Sequence, residues 1–202
     1  MGKSKFPILW IIIPLVAYLF YIFVYDGTSH IRSVLDNREY SVRKNGKQQT
    51  KADLLALIRL KLETIVKSVE NSNYSTNPAI VRLTTNWNKG VTIKEIGNLE
   101  TDAAYVINKQ HMSFCLPEGT ADSLDKINLM TYVAIHELAH IMSDEVGHGE
   151  EFVSNFEFLL NYSKKLKYTD PFTKEQLPVY IQLDKLNTPD NYCGVSLVNS
   201  IN

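Results

Sequence analysis

The sequence predicts an α+β domain that is built around one metal-binding helix and preceded by a membrane-spanning helix. Two observations carry this prediction: a His-Glu-Leu-Ala-His pentad at residues 136–140 and an uncharged, almost wholly apolar run from Phe6 to Tyr25. With 202 residues, of which 45% are hydrophobic, the chain can bury one sizeable core. We therefore divide it into an anchor over residues 1–26, a tether over 27–50 and the domain over 51–202.

The apolar run from Phe6 to Tyr25 matches the ~20 residues that a helix needs to cross a ~30 Å hydrocarbon core. Trp10 near one end and Tyr21 near the other place amphipathic rings where interface anchors lie. A cleaved signal peptide fits less well, because the run is long and lacks a small-x-small cleavage site. We expect a single-pass membrane protein whose anchor binds the lipid bilayer.

The segment after the anchor contains signals for a short strand and two helices. Residues 39–43 alternate as a strand does, and Thr50 is expected to cap an amphipathic helix over residues 51–70. A second, short helix is expected at 80–84 and a strand at 91–96.

Residues 105–107 and 112–116 are the better strand candidates, and a tight connection joins them into a hairpin. In zinc peptidases an edge strand beside the metal commonly receives an extended substrate by strand addition. Residues 112–116 are our candidate for that edge, and a core hairpin without a substrate role is the alternative.

The pentad lies in the apolar pattern of a helix that starts near Ser123 or Leu124. Residues four apart lie on nearly the same helix face, so His136 and His140 can offer two imidazole nitrogens to one Zn²⁺ ion. Glu137 is offset by ~100° around the axis and is positioned to act as a general base toward a water molecule.

The third metal ligand is predicted to be His148. A straight helix would carry this residue ~12 Å along the axis from His140, which is too far to share a metal. Gly147 and Gly149 flank it and permit the backbone to fold back, so we expect the helix to break between Met142 and Gly147.

Other residues remain possible ligands. A carboxylate of the next helix, expected over residues 150–166, would give a site of two histidines and one glutamate; the candidates are Glu150, Glu151 and Glu157. His111 and His30 are weaker candidates because no motif surrounds them.

The stretch from His136 to Phe152, HELAHIMSDEVGHGEEF, resembles the zincin core of WLM and SprT-like (Spartan-type) metallopeptidases, in which a Gly-His pair followed by an aromatic completes the site. More of the chain resembles membrane-anchored, zincin-like proteins of large nucleocytoplasmic DNA viruses. This wider resemblance covers residues 39–43, the helix at 51–70, Phe114-Cys115-Leu116, the pentad and Tyr192-Cys193-Gly194.

The resemblance and the pentad together imply a membrane-anchored zinc metallopeptidase that hydrolyses peptide bonds. If the protein is viral, the virion inner membrane or a host endomembrane is the expected location. The competing interpretation is a virion structural protein, such as a minor capsid or membrane-linking protein that contacts capsid proteins and keeps the zincin fold. A noncatalytic peptide-binding module is a third possibility.

The net charge and the two cysteines bear on possible partners and on disulfide bonds. A net charge of −1 gives no basic footprint, so no nucleic-acid partner is predicted. Cys115 and Cys193 are too few for a disulfide framework, and we interpret them as small core residues. A single disulfide between them is the alternative.

Overall fold

The computed structural model describes residues 9–25, 27–98, 100, 102–117, 123–183, 191–193 and 195–196. These residues form an α+β fold, as predicted. The helices are α1 (Leu9–Tyr25), α2 (Gln48–Glu70), α3 (Pro78–Asn88), α4 (Leu124–Met142) and α5 (Glu150–Ser163). The strands are β1 (Thr28–Arg32), β2 (Glu39–Arg43), β3 (Thr92–Glu95), β4 (Ala104–Ile107), β5 (His111–Phe114), β6 (Lys167–Thr169), β7 (Gln176–Pro178), β8 (Asn191–Tyr192) and β9 (Val195–Ser196).

Helix α1 lies in the segment that the sequence predicted to span a membrane. Its 17 residues, with Pro14 in the interior, reach ~25 Å, less than the ~30 Å of a hydrocarbon core. Within the described ranges, no helix has both the length and the apolar character that crossing a bilayer requires. The predicted anchor from Phe6 to Tyr25, and the single-pass membrane localisation derived from it, are therefore wrong.

The two strands that follow α1 form a hairpin that packs on α2. β1 and β2 are antiparallel, and Tyr40 and Val42 on β2 are almost fully buried against the helix face. Buried Glu95 on β3 ties the hairpin to the rest of the domain. Its carboxylate accepts a hydrogen bond from the Arg43 backbone N–H. The same carboxylate forms an ion pair with Lys51, with 2.6 Å between Lys51 Nζ and Glu95 Oε1.

Helix α2 is longer than the sequence predicted. Gly46 and Lys47 have φ angles of 91° and 51°, so the chain turns into the helix before it reaches Thr50. The prediction of Thr50 as the N-cap is therefore wrong, because that residue already lies in the first turn. The apolar face is buried as expected and lies at the centre of the core, with Leu55, Ile58, Leu62 and Ile65 fully buried.

A three-stranded sheet with the order β3-β5-β4 covers one side of the helices. β5 pairs in parallel with β3 and antiparallel with β4. The prediction that residues 112–116 form an edge is wrong, because both sides of β5 are hydrogen-bonded and Met112, Ser113 and Phe114 are buried. Among the described strands, β4 is the edge of this sheet that contacts α4.

A disulfide joins Cys115, which follows β5, to Cys193 in the turn after β8. The interpretation of these residues as unpaired core cysteines is wrong, and the alternative of one disulfide is confirmed. Tyr192 is buried, and its hydroxyl donates to the Cys115 carbonyl at 2.6 Å. The two contacts fix the described part of the carboxyl-terminal segment to the end of β5.

Lys61 on α2 is a buried cation in the core. Its Nζ donates to the Val179 carbonyl at 3.0 Å and to Thr131 Oγ1 at 3.3 Å, and lies 4.9 Å from the centre of the Tyr168 ring. Burial lowers the pKa of Lys61 to about 8, although the charge of Asp170 acts in the opposite direction. The folded state therefore releases this proton well below the ordinary value of 10.5.

Replacing Lys61 with Met should change how stability depends on pH. Between pH ~8 and ~10.5 the unfolded chain keeps the Lys61 proton and the folded chain does not, so unfolding takes up a proton and stability rises with pH. Relative to Lys61→Met, the free energy of unfolding of the native chain should rise by up to ~3 kcal/mol across this window. Urea unfolding at a series of pH values measures the difference. A difference that stays constant with pH would contradict the prediction.

Candidate metal centre

Helix α4 carries the two histidines of the pentad, His136 and His140. Ser123 is its N-cap, with an extended backbone and a side-chain oxygen that accepts from Lys126 N–H, which confirms the predicted start. His136 and His140 lie one turn apart, and the centres of their rings are 5.1 Å apart. Both imidazoles are half-buried, on the same side of the helix.

The chain reverses direction directly after this helix. α4 ends at Met142, and Ser143 is extended, so the predicted break between Met142 and Gly147 is confirmed. Gly147 has a φ of 94°, a conformation that residues with a Cβ rarely adopt. α5 then begins at Glu150, and the reversal returns His148 to the histidine pair on α4.

The three histidines converge on one point. His148 Nε2 lies 3.0 Å from His136 Nε2, and each of the three residues offers a ring nitrogen within 4.8 Å of the other two. Nitrogens that bind one Zn²⁺ at ~2.0–2.1 Å in tetrahedral geometry lie ~3.3 Å apart, so small side-chain adjustments would complete such a site. Because His148 is exposed, the point of convergence is open to solvent on one side.

Electrostatics keep two of these imidazoles in the form that binds metals. Burial, together with the charges of His140 and His148, lowers the pKa of His136 to about 3. Burial, with His148 and Lys109 nearby, lowers the pKa of His140 to about 4. Both rings are therefore neutral at pH 7 and available as donors to a cation.

Two phenylalanines on α5 form an apolar wall behind the imidazoles. The Phe152 ring centre lies 4.3 Å from that of His140, 4.8 Å from His136 and 4.7 Å from His148. Phe156 adds a second contact to His136 at 5.2 Å. Their packing on the ligand rings restricts how those rings can rotate.

Glu137 is the buried carboxylate beside the histidines. Its side chain is 3% exposed, and Oε2 has no hydrogen-bond partner among the described residues. Burial raises the pKa of the Glu137 carboxyl to about 8. A buried acceptor without a partner is costly, and a nearby cation with its water would satisfy it. The donor set and this carboxylate therefore fit a zinc ion.

Charged side chains hold the turn between α4 and α5. Arg82 on α3 donates to the Met142 carbonyl at 2.6 Å and to Glu151 Oε1 at 2.9 Å. Glu151 Oε2 in turn accepts from the backbone N–H groups of Asp144 and Glu145, at 2.8 and 3.2 Å. Sequence reasoning missed Arg82, because no pattern along the chain connects it to this turn.

Glu145 caps the following helix. Its Oε1 accepts from the Phe152 N–H at 3.0 Å, and a Cβ on Gly149 would overlap the Glu145 carboxylate. The φ angle of Gly149 is −69°, so its backbone conformation does not require glycine. Glycine is needed here because a side chain would occupy the space of the Glu145 carboxylate. Lys109, at the tip of the β4–β5 hairpin, also donates to carbonyls of the turn.

None of the rival ligands joins the three histidines in the cluster that could hold a metal ion. Glu151 is engaged in the turn, and Glu150 and Glu157 line an open depression of about 450 Å³ that His148 borders. His30 lies on β1, and His111 on β5 forms a hydrogen bond with Thr92 at 2.8 Å.

Comparisons with known proteins find viral relatives. An uncharacterized protein of Acanthamoeba polyphaga mimivirus is 26% identical over 191 residues, which cover 92% of this chain and 91% of that protein. An uncharacterized protein of Invertebrate iridescent virus 6 is 33% identical over 90 residues, which cover 42% of this chain and 50% of that protein. An uncharacterized protein of Invertebrate iridescent virus 3 is 29% identical over 73 residues, which cover 36% of this chain and 46% of that protein.

No family model matches the chain, and no solved structure matches it. The expected resemblance to proteins of DNA viruses is therefore confirmed at the level of viral relatives. The names of these relatives state no activity.

Replacing His148 with Ala should weaken metal binding without unfolding α4. His148 is exposed in the turn and lies outside both helices, whereas its ring nitrogen is one of the three convergent donors. We expect zinc affinity to fall by at least the 10- to 100-fold that loss of a supporting residue costs at metal sites. Competition with a chromophoric chelator measures the affinity, and His30→Ala is the matched control. Equal affinity of the two variants would exclude His148 as a ligand.

Proposed function

We propose that the protein is a zinc-dependent metallopeptidase of the zincin type. The observation that carries the proposal is the convergence of His136, His140 and His148 beside a buried carboxylate, one oxygen of which has no hydrogen-bond partner among the described residues. Three imidazole nitrogens with an open side are the ligand set of a catalytic zinc ion rather than of a closed structural one. The resemblance of residues 136–152 to zincin cores supports the same class.

The three histidines would hold the ion. Zinc bound there would supply Lewis-acid chemistry, lowering the pKa of a water molecule and polarising a carbonyl group. The chain contributes the three imidazole donors, the phenylalanine wall that fixes their orientation and the exposed side at His148 through which a substrate can approach.

Glu137 would be the general base. Its unpartnered Oε2 would accept a proton as water attacks the scissile carbonyl and would then deliver that proton to the leaving amine. Burial alone raises the pKa of this carboxyl to about 8, so a positive charge beside it is needed to hold it ionised at pH 7. The same burial strengthens its interaction with any nearby positive charge.

A peptide substrate has two surfaces available near the histidines. β4, the edge strand that contacts α4, can pair with an extended peptide by strand addition. The depression along α5, with Val153 in its lining, begins at His148 and can accommodate a substrate side chain. Both features favour a polypeptide over a small molecule as the substrate.

Replacing Glu137 with Gln separates this proposal from its competitors. The variant should retain zinc, because the three ligands are unchanged, and its peptide-hydrolysis rate should fall by 10²–10⁴-fold. Release of peptides from a denatured protein substrate, followed by mass spectrometry at matched zinc content, measures the rate. Glu175→Gln, exposed in the segment between β6 and β7 and outside both the histidine cluster and the depression, is the control and should retain activity.

Other outcomes would select another function. Zinc binding and peptide binding without turnover in the native chain would indicate a noncatalytic peptide-binding module. Zinc binding with neither peptide binding nor turnover would favour a virion structural role, in which the fold serves as a building block.

A further inference from the structure

We propose that Lys109 is a positioning residue that sets the place of His148, and through it the affinity of the metal site. The inference rests on the metal-binding part of the proposed function, but it does not require that the site be catalytic. Lys109 is not a ligand. It acts on the turn that carries one.

The contacts of Lys109 account for its entire hydrogen-bonding capacity. Its Nζ donates to three backbone carbonyls: His140 at 2.7 Å, Ser143 at 2.8 Å and Glu145 at 3.3 Å. An ammonium group has three N–H donors and no acceptor, so these three carbonyls satisfy it fully. They also span the change of direction, from the last turn of α4 to the chain that leads to His148.

The turn depends on such side chains because its own backbone offers little support. Among the described residues, no backbone–backbone hydrogen bond is formed by residues 144–148. Its N–H groups at Asp144 and Glu145 are satisfied by Glu151, and its carbonyls at Ser143 and Glu145 by Lys109. Removing Lys109 therefore releases the carbonyl side of the turn, whereas the N–H side stays held.

The fold delivers Lys109 to this place from a separate element. Asn108 and Lys109 have φ angles of 53° and 57°, which makes them the central residues of a tight turn between β4 and β5. The hairpin tip directs the side chain at the C-terminal end of α4, where the free carbonyls concentrate partial negative charge. The ligand turn is thus fixed against the sheet as well as against its own helices.

Arg82 holds the same helix end but cannot replace Lys109. It donates to Met142 and pairs with Glu151 and Asp144, so it acts on the start of the turn. Only Lys109 reaches the Glu145 carbonyl, the most distal carbonyl before His148 for which a side-chain donor is described. Loss of Lys109 should therefore free His148 while leaving His136 and His140 on an intact helix.

The test measures zinc affinity of the full chain in two backgrounds. In the native background, Lys109→Met should weaken zinc binding by about 10- to 100-fold, as for other residues that support metal ligands. In the His148→Ala background, the same substitution should cause no further loss, because the ligand that it positions is absent. Lys109→Arg keeps a cation but not the three-carbonyl geometry, so its affinity should lie between those of the native chain and Lys109→Met.

Lys94→Met is the matched control. Lys94 is a partly buried lysine on the neighbouring strand β3 and pairs with Glu100 away from the turn. The Lys94→Met substitution should leave zinc affinity unchanged even if it lowers thermal stability. The absorption spectrum of bound Co²⁺ adds a second readout, and Lys109→Met should shift it toward the spectrum of His148→Ala.

Each outcome decides the inference. Unchanged affinity in Lys109→Met, or an equal loss in both backgrounds, would overturn it while leaving the proposed metal site intact. Failure of the native chain to bind zinc would overturn the metal site itself, and this inference with it. If Lys109→Met does not fold, Lys109→Arg decides: a loss confined to the native background supports the inference, and any other result overturns it.

Discussion

Everything at the candidate metal centre depends on the reversal of the chain between Met142 and Glu150. A continuous helix would place His148 far beyond the reach of a metal held by the pentad. The reversal requires the last turn of α4 to leave carbonyls without helical partners, and these need donors. Arg82 and Lys109 supply them from α3 and from the β4–β5 hairpin. The position of His148 beside the pentad histidines is therefore a tertiary feature of the domain rather than a property of the motif.

The groups assembled by this reversal are unfavourable neighbours unless a cation joins them. Burial keeps His136 and His140 from taking up protons, and Glu137 is buried with an oxygen that has no hydrogen-bond partner in the part of the chain that the structure describes. Each of these features costs folding free energy on its own. A divalent cation would convert all of them into favourable contacts at once, so metal binding and stability should be linked. This balance supports the proposal that the histidines bind a metal ion.

Local patterns were sufficient to predict the parts of the fold that local physics determines. The helical spacing of α2, the Ser123 cap and the break after Met142 each depend on residues close in sequence. The edge strand, the Cys115–Cys193 disulfide and the role of Lys109 depend on which elements become neighbours in space, and the sequence carried no periodic signal for that. The membrane prediction failed for another reason: it rested on apolar composition alone, whereas α1 as described has 17 residues with Pro14 in its interior, and residues 6–8 of the predicted span lie outside the described ranges.

The β4–β5 hairpin joins two functions that are usually considered separately. Its outer strand, β4, is the edge at which an extended peptide would pair, and its tip carries Lys109, which holds the turn before His148. The two strands are hydrogen-bonded to each other and joined at the tip by Asn108 and Lys109, so the edge and the tip belong to one hairpin. If both proposals hold, binding a peptide at β4 also restrains the third ligand. Substrate and metal would then each favour the geometry that the other needs.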